Sequence, residues 1–287
     1  MIEKRFKEFV EANFDEEDQY TLIWANDIAA IMEDFFPKLP IKELSRQIKI
    51  SNRVKQIVNR RYMNDLLREF NESKVHVVWF KGELLQNALY MDHIIRPVGD
   101  IDVYIKPEQF EQGMSLLKSN GFVFFDSEAD KNVHHIRFIK GHVKLELHKK
   151  FLNPFTSIDE KFFHDHLKEI SFQDNFCLGF DHSATFLHLL YHVYMDTLLF
   201  KRTFKPILKD NVYMAERFMF RIYEIAKYAH VYEKDIDWEA ICSDILSQRL
   251  KMCFKNIMIM VDEIFYEVLP IRLMTAVKSK KYLLEEF

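Results

Sequence analysis

Apolar residues recur with two different periods along this chain. From residue 1 to about 72 they follow the three-to-four-residue spacing of amphipathic helices, as in LIWANDIAAIMEDFF and VKQIVNRRYMNDLLREFN. From 73 to 152 short apolar runs show the alternation of strands, and from 153 to 287 the helical period returns. This order predicts an α+β protein with three segments. They are an N-terminal helical segment (1–72), a small mixed-sheet core (73–152) and a C-terminal helical domain (153–287).

The central segment contains five short runs typical of strands. They are VHVVWF (75–80), DIDVYI (100–105), FVFFD (122–126), VHHIRFI (133–139) and HVKLELH (142–148). A helix is predicted for ELLQNALY after the first strand, and another begins at Pro107 and stops at Asn120-Gly121. Lys140-Gly141 predicts a tight hairpin between the last two strands.

Outside the core, only helices are predicted. The clearest cover residues 181–200 and 217–232, with Asp181 to Ser183 as candidate caps. The run DEED at 15–18 predicts a solvated helix start, because negative charge is favourable at the positive end of the helix dipole.

Composition and charge narrow the class of protein. A hydrophobic fraction of 48%, with 27 Phe against 6 Gly and 7 Pro, is enough for a large core and leaves few residues for loops. A net charge of -4 gives no global attraction to nucleic acid. Three cysteines without C-x-x-C spacing argue against disulfides and thiolate zinc sites, which predicts a reducing compartment. Because the N-terminus lacks an apolar signal and no long clean apolar run occurs, we expect a cytoplasmic protein without a membrane partner.

Three carboxylates stand out within the predicted strands. Side chains alternate across a strand, so Asp100 and Asp102 share one face of DIDVYI while its aliphatic residues take the other. By the same rule Glu146 and His148 of HVKLELH lie opposite the core face. If the two strands are neighbours, the three carboxylates come together and repel one another unless cations bind. Oxygen ligands favour Mg²⁺ or Mn²⁺ over zinc, although Asp-x-Asp at a strand start is also typical of a solvated turn.

With these residues in place, the chain resembles a known superfamily. The order strand, Lys81-Gly82, short helix, GDIDVYI and a later strand with Glu146 is similar to the nucleotidyltransferase superfamily of DNA polymerase β and aminoglycoside nucleotidyltransferases. More narrowly, FKGELLQNALY, RPVGDIDVYI and GHVKLELH resemble an uncharacterised bacterial nucleotidyltransferase-like family over about residues 75–150. The resemblance implies that the predicted mixed sheet is a nucleotidyltransferase core.

The resemblance also implies a chemistry, namely transfer of a nucleoside monophosphate from an NTP to a hydroxyl or similar acceptor by a two-metal mechanism. Asp100 and Asp102 would bridge two Mg²⁺ (or Mn²⁺) ions, and Glu146 would be the third ligand. Lys81 and Gly82 would lie beside the triphosphate at the start of the following helix. The acceptor stays open among small molecules, peptides, proteins and RNA, as does the oligomeric state.

Two further residues are candidates for nucleotide binding, each with an alternative. Arg96, just before the aspartates, would contact phosphate, or it would stabilise its loop as an ion-paired surface arginine. His148 would touch nucleotide or a metal-bound water, or it would make a supporting hydrogen bond to a ligand.

A second hypothesis is a non-catalytic nucleotidyltransferase-like module that binds nucleotide or protein. The superfamily's Gly-Ser or Gly-Gly pair is replaced here by Gly82-Glu83, which removes a phosphate-binding hydroxyl and adds an acidic side chain. A third hypothesis is a metallohydrolase built on His188 and His192, which lie one helical turn apart with Asp196 a turn further on. Buried, hydrogen-bonded histidines on an apolar helix are the simpler interpretation of that pair.

Three further features of the sequence are weaker candidates for a role in the site. His134 and His135 point to opposite faces of a strand, so at most one of them faces the site. The basic stretch 201–209 would guide an anionic substrate or form a solvated loop, and the family resemblance implies a supporting role for Asp210.

Overall fold

The computed structural model describes residues 1–90, 95–97, 99–125, 135–152, 158–204, 217–248 and 252–279, with side chains at all of these except 83, 196–204, 252–253 and 279. The described strands are β1 (Val77–Phe80), β2 (Ile101–Ile105), β3 (Val123–Phe124), β4 (His135–Lys140), β5 (Val143–His148), β6 (Leu167–Phe172) and β7 (Asn175–Phe180). The described helices are α1 (Ile2–Asn13), α2 (Glu16–Ala25), α3 (Ala29–Met32), α4 (Lys42–Glu72), α5 (Gly82–Tyr90), α6 (Phe110–Ser119), α7 (Lys161–Asp165), α8 (His182–Phe204), α9 (Phe218–Val231), α10 (Trp238–Ser247), α11 (Met252–Phe265) and α12 (Ile271–Ser279). The α+β class is confirmed.

The chain forms two compact units. One comprises Met1–Lys49, Ser157–Asp159 and Phe186–Phe287, and the other comprises Ile50–Thr156 and Glu160–Thr185. We call the first the helical unit and the second the sheet unit. The division of the chain into three segments, with boundaries at residues 72 and 152, stays a prediction.

The sheet unit is built on one mixed sheet of seven strands in the order β3-β4-β5-β2-β1-β7-β6. Strand β2 pairs parallel with β5 and antiparallel with β1, and β1 pairs parallel with β7. Strands β4 and β5 form the antiparallel hairpin that Lys140-Gly141 predicted, and Gly141 has the positive φ of 59° that this turn requires. The sequence-derived strand pattern between 75 and 148 is therefore confirmed.

One face of this sheet is the hydrophobic core of the sheet unit. Alternate residues of β1, β2 and β5 point to it and are nearly inaccessible to solvent, among them Trp79, Val103 and Leu145. They pack with apolar residues of α4 and α6, including Leu67 and Leu117. Burying this apolar face is the main favourable term in forming the sheet, and it leaves the other face for polar side chains.

The hairpin β6–β7 corrects the expectation that only helices follow residue 152. Its strands pair antiparallel from Leu167↔Phe180 to Phe172↔Asn175, and Gln173 in the turn has a φ of 53°. Burial alternates only weakly along β6, which is an edge strand of the sheet. An alternation of this kind is easily missed beside long helical runs.

Two predicted helix starts are confirmed at the level of hydrogen bonds. The Asp18 backbone N–H donates to Asp15 Oδ1 at 2.9 Å, which caps α2. The Ala184 backbone N–H donates to Asp181 Oδ1 at 2.8 Å, which caps α8. Each bond satisfies one of the N–H groups that a helix start leaves without an intrahelical partner.

The helical unit brings the first helix of the chain against helices near its end. Phe6 of α1 stacks with Phe265 of α11 at a centroid distance of 6.2 Å and meets the ring of Tyr223 in α9 edge-on at 6.1 Å. Among the described helices of the chain, none combines the length and hydropathy needed to span a membrane.

Candidate functional site

Register brings the predicted site residues together on the polar face of the sheet. Asp102 of β2 lies directly opposite Glu146 of β5. On the other side of β5, His135 of β4 lies opposite His148, and Arg137 lies opposite Glu146. Because paired residues share a face and alternate residues of one strand do too, all five side chains emerge on the same side of the sheet. It is the side opposite the hydrophobic core.

Asp102 is at the centre of this group. Only 9% of the residue is exposed, and its Oδ1 accepts a hydrogen bond from Lys81 Nζ at 3.0 Å. His148 Nε2 lies 3.0 Å from the same oxygen. Burial alone would raise the pKa of the Asp102 carboxyl, but the Lys81 charge and the His148 hydrogen bond hold that pKa well below its usual range. Asp102 is therefore ionised at neutral pH and held by two partners.

The turn between β1 and α5 positions Lys81. Lys81 itself has a φ of 60°, and Gly82, the first residue of α5, has a φ of 40°. A non-glycine residue in this left-handed region costs free energy, so the turn is maintained by its surroundings. A Cβ on Gly82 would lie 3.6 Å from the Asp100 carbonyl oxygen, which shows how closely the turn approaches the residues before β2.

Glu146 connects Asp102 to the two histidines. Its Oε2 lies 3.4 Å from His148 Nε2, and its Oε1 lies 3.5 Å from His135 Nε2. Burial is the largest effect and would raise the pKa of the Glu146 carboxyl, but the His148 hydrogen bond and the interactions with His135 and His148 together lower it. Burial lowers the pKa of His135, and the charge of Glu146 offsets only part of that effect. At neutral pH this arrangement favours an ionised Glu146 beside a neutral His135.

Asp100 shows the electrostatic cost of clustering carboxylates. Burial and then the negative charge of Glu146 raise its pKa, with Asp102 adding to the effect and Lys144 and Arg137 opposing it. A divalent cation would relieve this repulsion, and its preferred ligands are carboxylate oxygens of this kind. The charge of the three carboxylates therefore suits the divalent cation that the sequence predicts, whereas the group of described residues whose donor atoms lie within 4.8 Å of one another is His135, Glu146 and His148.

Aromatic side chains cover the part of the polar face next to the charged group. Phe80 packs edge-on against the His148 ring at 5.1 Å and contacts Phe151 and Phe180, each at 5.7 Å. Tyr104 lies 4.2 Å from Phe151, measured between ring centroids. These contacts bury His148 to 2% exposure and fix its ring beside Asp102 and Glu146.

Arg96 has described contacts to helix α5 and to its own loop. Its backbone N–H donates to Gln86 Oε1 and its guanidinium donates to the Pro97 carbonyl oxygen, both at 3.1 Å. These bonds anchor the loop that leads to Asp100, and a role in nucleotide binding stays a prediction.

Several sequence predictions lie outside the described residues. These are the side chains of Glu83 and Asp196, the whole of His134 and Asp210, and, in the basic stretch, the side chains of 201–204 and the whole of 205–209. His188 and His192 are described within the helical unit, with ring centroids 6.0 Å apart. His188 is buried, at 3% exposure, which agrees with the interpretation of this histidine as a buried residue of an apolar helix.

Sequence reasoning missed two features of the site. It gave His135 no role beyond the statement that at most one residue of the His134-His135 pair faces the site. It also assigned Lys81 to phosphate, without the ion pair to Asp102. The period-two alternation of β4, counted back from the Lys140-Gly141 turn, was the available signal for His135. No sequence signal indicated the ion pair, because it depends on the left-handed turn at Lys81.

Comparisons with known proteins place this chain in a family. The solution structure of the antibiotic-resistance factor ANT(2'')-Ia is 10% identical, with a TM-score of 0.38 over 62% of this chain and 90% of that chain. The crystal structure of an antigenic nucleotidyltransferase-like protein from Paracoccidioides brasiliensis is 10% identical, with a TM-score of 0.39 over 78% of this chain and 94% of that chain. No curated protein matches the chain. The sequence model of a family described as uncharacterised nucleotidyltransferase matches residues 19–266, and the chain therefore belongs to this nucleotidyltransferase family.

Proposed function

We propose that the protein transfers a nucleoside monophosphate from an NTP to an acceptor, with Mg²⁺ (or Mn²⁺) held by Asp100, Asp102 and Glu146. The observation that carries the proposal is the register of β2 and β5, which sets Asp102 directly opposite Glu146 on the polar face of the sheet. Membership of a nucleotidyltransferase family supports the general reaction. In that reaction an acceptor oxygen bonds to the α-phosphorus while the bond to the bridging oxygen breaks and pyrophosphate leaves. The bound cations would supply activation of the acceptor hydroxyl and neutralisation of the leaving charge.

The surrounding residues would orient the ligands. His148 Nε2, at 3.0 Å from Asp102 Oδ1 and 3.4 Å from Glu146 Oε2, ties the two carboxylates together. Because the pKa values of both carboxyls are lowered, both present charged oxygens at neutral pH. This is the pre-organisation that a metal site needs from the residues around its ligands.

Lys81 would exchange partners when nucleotide binds. Its ammonium now pairs with Asp102 at 3.0 Å, and a triphosphate at the β1–α5 turn would offer it more negative charge. Gly82 lets the backbone of that turn approach a phosphate, and the N-terminal end of α5 favours an anion there. We infer that Lys81 holds Asp102 in the absence of nucleotide and binds phosphate in its presence.

Calorimetric titration with ATP, GTP, CTP and UTP in the presence of Mg²⁺ tests the proposal. The wild-type chain should bind at least one NTP, and Asp102→Asn and Glu146→Gln should each weaken binding by about ten-fold or more. Asp174→Asn, in the exposed turn between β6 and β7, is the control in the same unit and should bind as wild type. Thermal unfolding establishes that each variant is folded. An intact protein that binds no NTP, or binds it equally well after Asp102→Asn, refutes the proposal.

A second candidate function is a non-catalytic module that binds nucleotide or a protein partner. The observation in its favour is that Lys81 and His148 both already engage Asp102 Oδ1, the carboxylate that would bridge two ions. Incubating the protein and a cell extract with α-labelled NTPs separates the two functions. Label transferred to any acceptor, whether small molecule, peptide, protein or RNA, and lost with Asp102→Asn, excludes the non-catalytic module.

A further inference from the structure

The polar face of the sheet contains a second set of potential metal ligands, which includes two imidazoles. His135 and His148 lie opposite each other on the antiparallel strands β4 and β5, and Glu146 precedes His148 by two residues on the same strand. One donor atom from each residue lies within 4.8 Å of the other two. Three side chains on one face of two neighbouring strands therefore converge on one point.

The donor atoms of this set are close enough together to share one metal ion, with one carboxylate oxygen of Glu146 near each imidazole. Ligands bound to zinc at about 2.0–2.1 Å in tetrahedral geometry lie about 3.4 Å from one another. Glu146 Oε2 lies 3.4 Å from His148 Nε2, and Glu146 Oε1 lies 3.5 Å from His135 Nε2. The ring centroids of His135 and His148 are 5.1 Å apart, which places the two imidazoles side by side.

Because this set contains two imidazoles, it favours a different class of metal from the three carboxylates of the proposed Mg²⁺ site. Mg²⁺ and Mn²⁺ prefer oxygen ligands, and Mg²⁺ gives up its water reluctantly, whereas imidazole suits transition metals such as Zn²⁺, Fe²⁺ and Ni²⁺. Phe80 packs against the His148 ring, and the ring is almost fully buried, so this ligand is already fixed. Asp102 Oδ1, 3.0 Å from His148 Nε2, adds negative charge beside the set.

We propose that His135, Glu146 and His148 form a three-ligand site for a divalent transition metal, with the remaining coordination positions left for water or a substrate oxygen. Binding of the metal does not depend on nucleotidyl transfer. Any part of this ion in catalysis rests on the proposed function, because Glu146 belongs to both ligand sets. The site would make the protein selective for a transition metal where the three carboxylates alone would accept Mg²⁺.

Titration of the chelator-treated, full-length protein with Co²⁺ tests this site. We expect about one equivalent to bind, with the visible absorption bands of cobalt in a low-symmetry site that contains nitrogen ligands. His135→Ala should weaken binding by about 10–100-fold and change those bands. The control is His142→Ala, which removes an exposed imidazole from the turn of the same hairpin and should leave both unchanged. His135→Gln is a second variant at the half-buried position, in case the alanine variant fails to fold.

Titration of the same samples with Mg²⁺ and NTP separates this inference from the proposed function. Wild-type protein that binds Mg²⁺-NTP but no stoichiometric Co²⁺ overturns the inference alone. Protein that binds Co²⁺ through His135 but binds no NTP overturns the proposed function and supports the inference. Equal Co²⁺ binding by wild type and folded His135 variants would also overturn the inference, because the ion would then be bound elsewhere.

Discussion

At the scale of single residues, the ion pair between Lys81 and Asp102 makes a testable contribution to stability. The two side chains are only 19% and 12% exposed, so removing the ammonium leaves a nearly buried carboxylate without its cation. We expect Lys81→Met to lower the free energy of unfolding by about 1–3 kcal/mol, measured by urea denaturation.

Two further variants assign that loss to the pair. Lys81→Arg keeps the positive charge and should lose less stability than Lys81→Met. In an Asp102→Asn background the buried charge is already absent, so Lys81→Met should cost much less. Equal costs in the two backgrounds would contradict the ion pair.

The alternation of side chains was the part of the site that sequence could predict. It gave the shared face of Glu146 and His148 within β5, because period-two alternation is a local property of each strand, and it brought Asp102 to that face only on the condition that β2 and β5 are neighbours. It could not give the convergence of His135 with Glu146, which requires the register between two strands. The Lys81–Asp102 pair required the conformation of a single residue with positive φ, for which lysine gives no sequence signal.

At the scale of elements, the contact between α6 and β2 gives a second prediction. Gly113 of α6 faces the fully buried Ile105 of β2, and a Cβ at position 113 would overlap the Ile105 Cδ1 atom. Gly113→Ala gains helix propensity worth about 1 kcal/mol, but overpacking costs about 1–3 kcal/mol. We expect a net loss of stability in urea denaturation.

Ile105→Val tests the same contact because it deletes the Cδ1 atom. Alone it should cost about 0.5–1.5 kcal/mol. In that background Gly113→Ala should become neutral or stabilising, so the two changes should be strongly non-additive. Additive effects would show that the glycine is not required by this contact.

Elements with strong local signals were predicted well, and the edge strand β6 was not. Strands β1, β2 and β5 lie inside the sheet and have clear apolar patterns, whereas β6 is an edge strand whose residues are partly or fully exposed. An edge strand is specified mainly by the strand it pairs with, here β7. Its sequence therefore contains little of the information that fixes it.

At the scale of the whole molecule, the helical unit is formed by segments distant in sequence. The Glu3 carboxylate of α1 accepts hydrogen bonds from Tyr223 Oη at 2.7 Å and Lys227 Nζ at 3.0 Å, both in α9. A pattern of apolar positions identifies each helix, but it cannot show that α1 and α9 pack together. That grouping depends on tertiary contacts between residues more than 200 positions apart.

The same contact predicts a pH dependence of stability. Burial would raise the pKa of Glu3, but the hydrogen bond from Tyr223 and the charge of Lys227 lower it from 4.5 to about 2. The stabilisation is therefore complete above the unfolded-state pKa and is lost as pH falls through the folded-state pKa. At pH 7 we expect Glu3→Gln to cost about 1–2 kcal/mol.

Chemical denaturation across pH measures this difference. The gap between wild type and Glu3→Gln should shrink as pH falls from 4.5 towards 2. Glu11→Gln, also on α1 but with a side chain 51% exposed, is the control and should stay within about 0.5 kcal/mol of wild type at neutral pH. A gap that is constant over this range would show that Glu3 is not coupled to Tyr223 and Lys227.

A crystal structure with a non-hydrolysable NTP analogue and Mn²⁺ tests the proposed nucleotide and metal site, because Mn²⁺ is located by its anomalous scattering. We predict Mn²⁺ bound to oxygens of Asp100, Asp102 and Glu146, with the triphosphate at the Lys81-Gly82 turn. We also predict that the Lys81 ammonium has moved from Asp102 to a phosphate oxygen. Nucleotide bound away from these carboxylates, or no bound nucleotide with the Lys81–Asp102 pair intact, would contradict the proposed site.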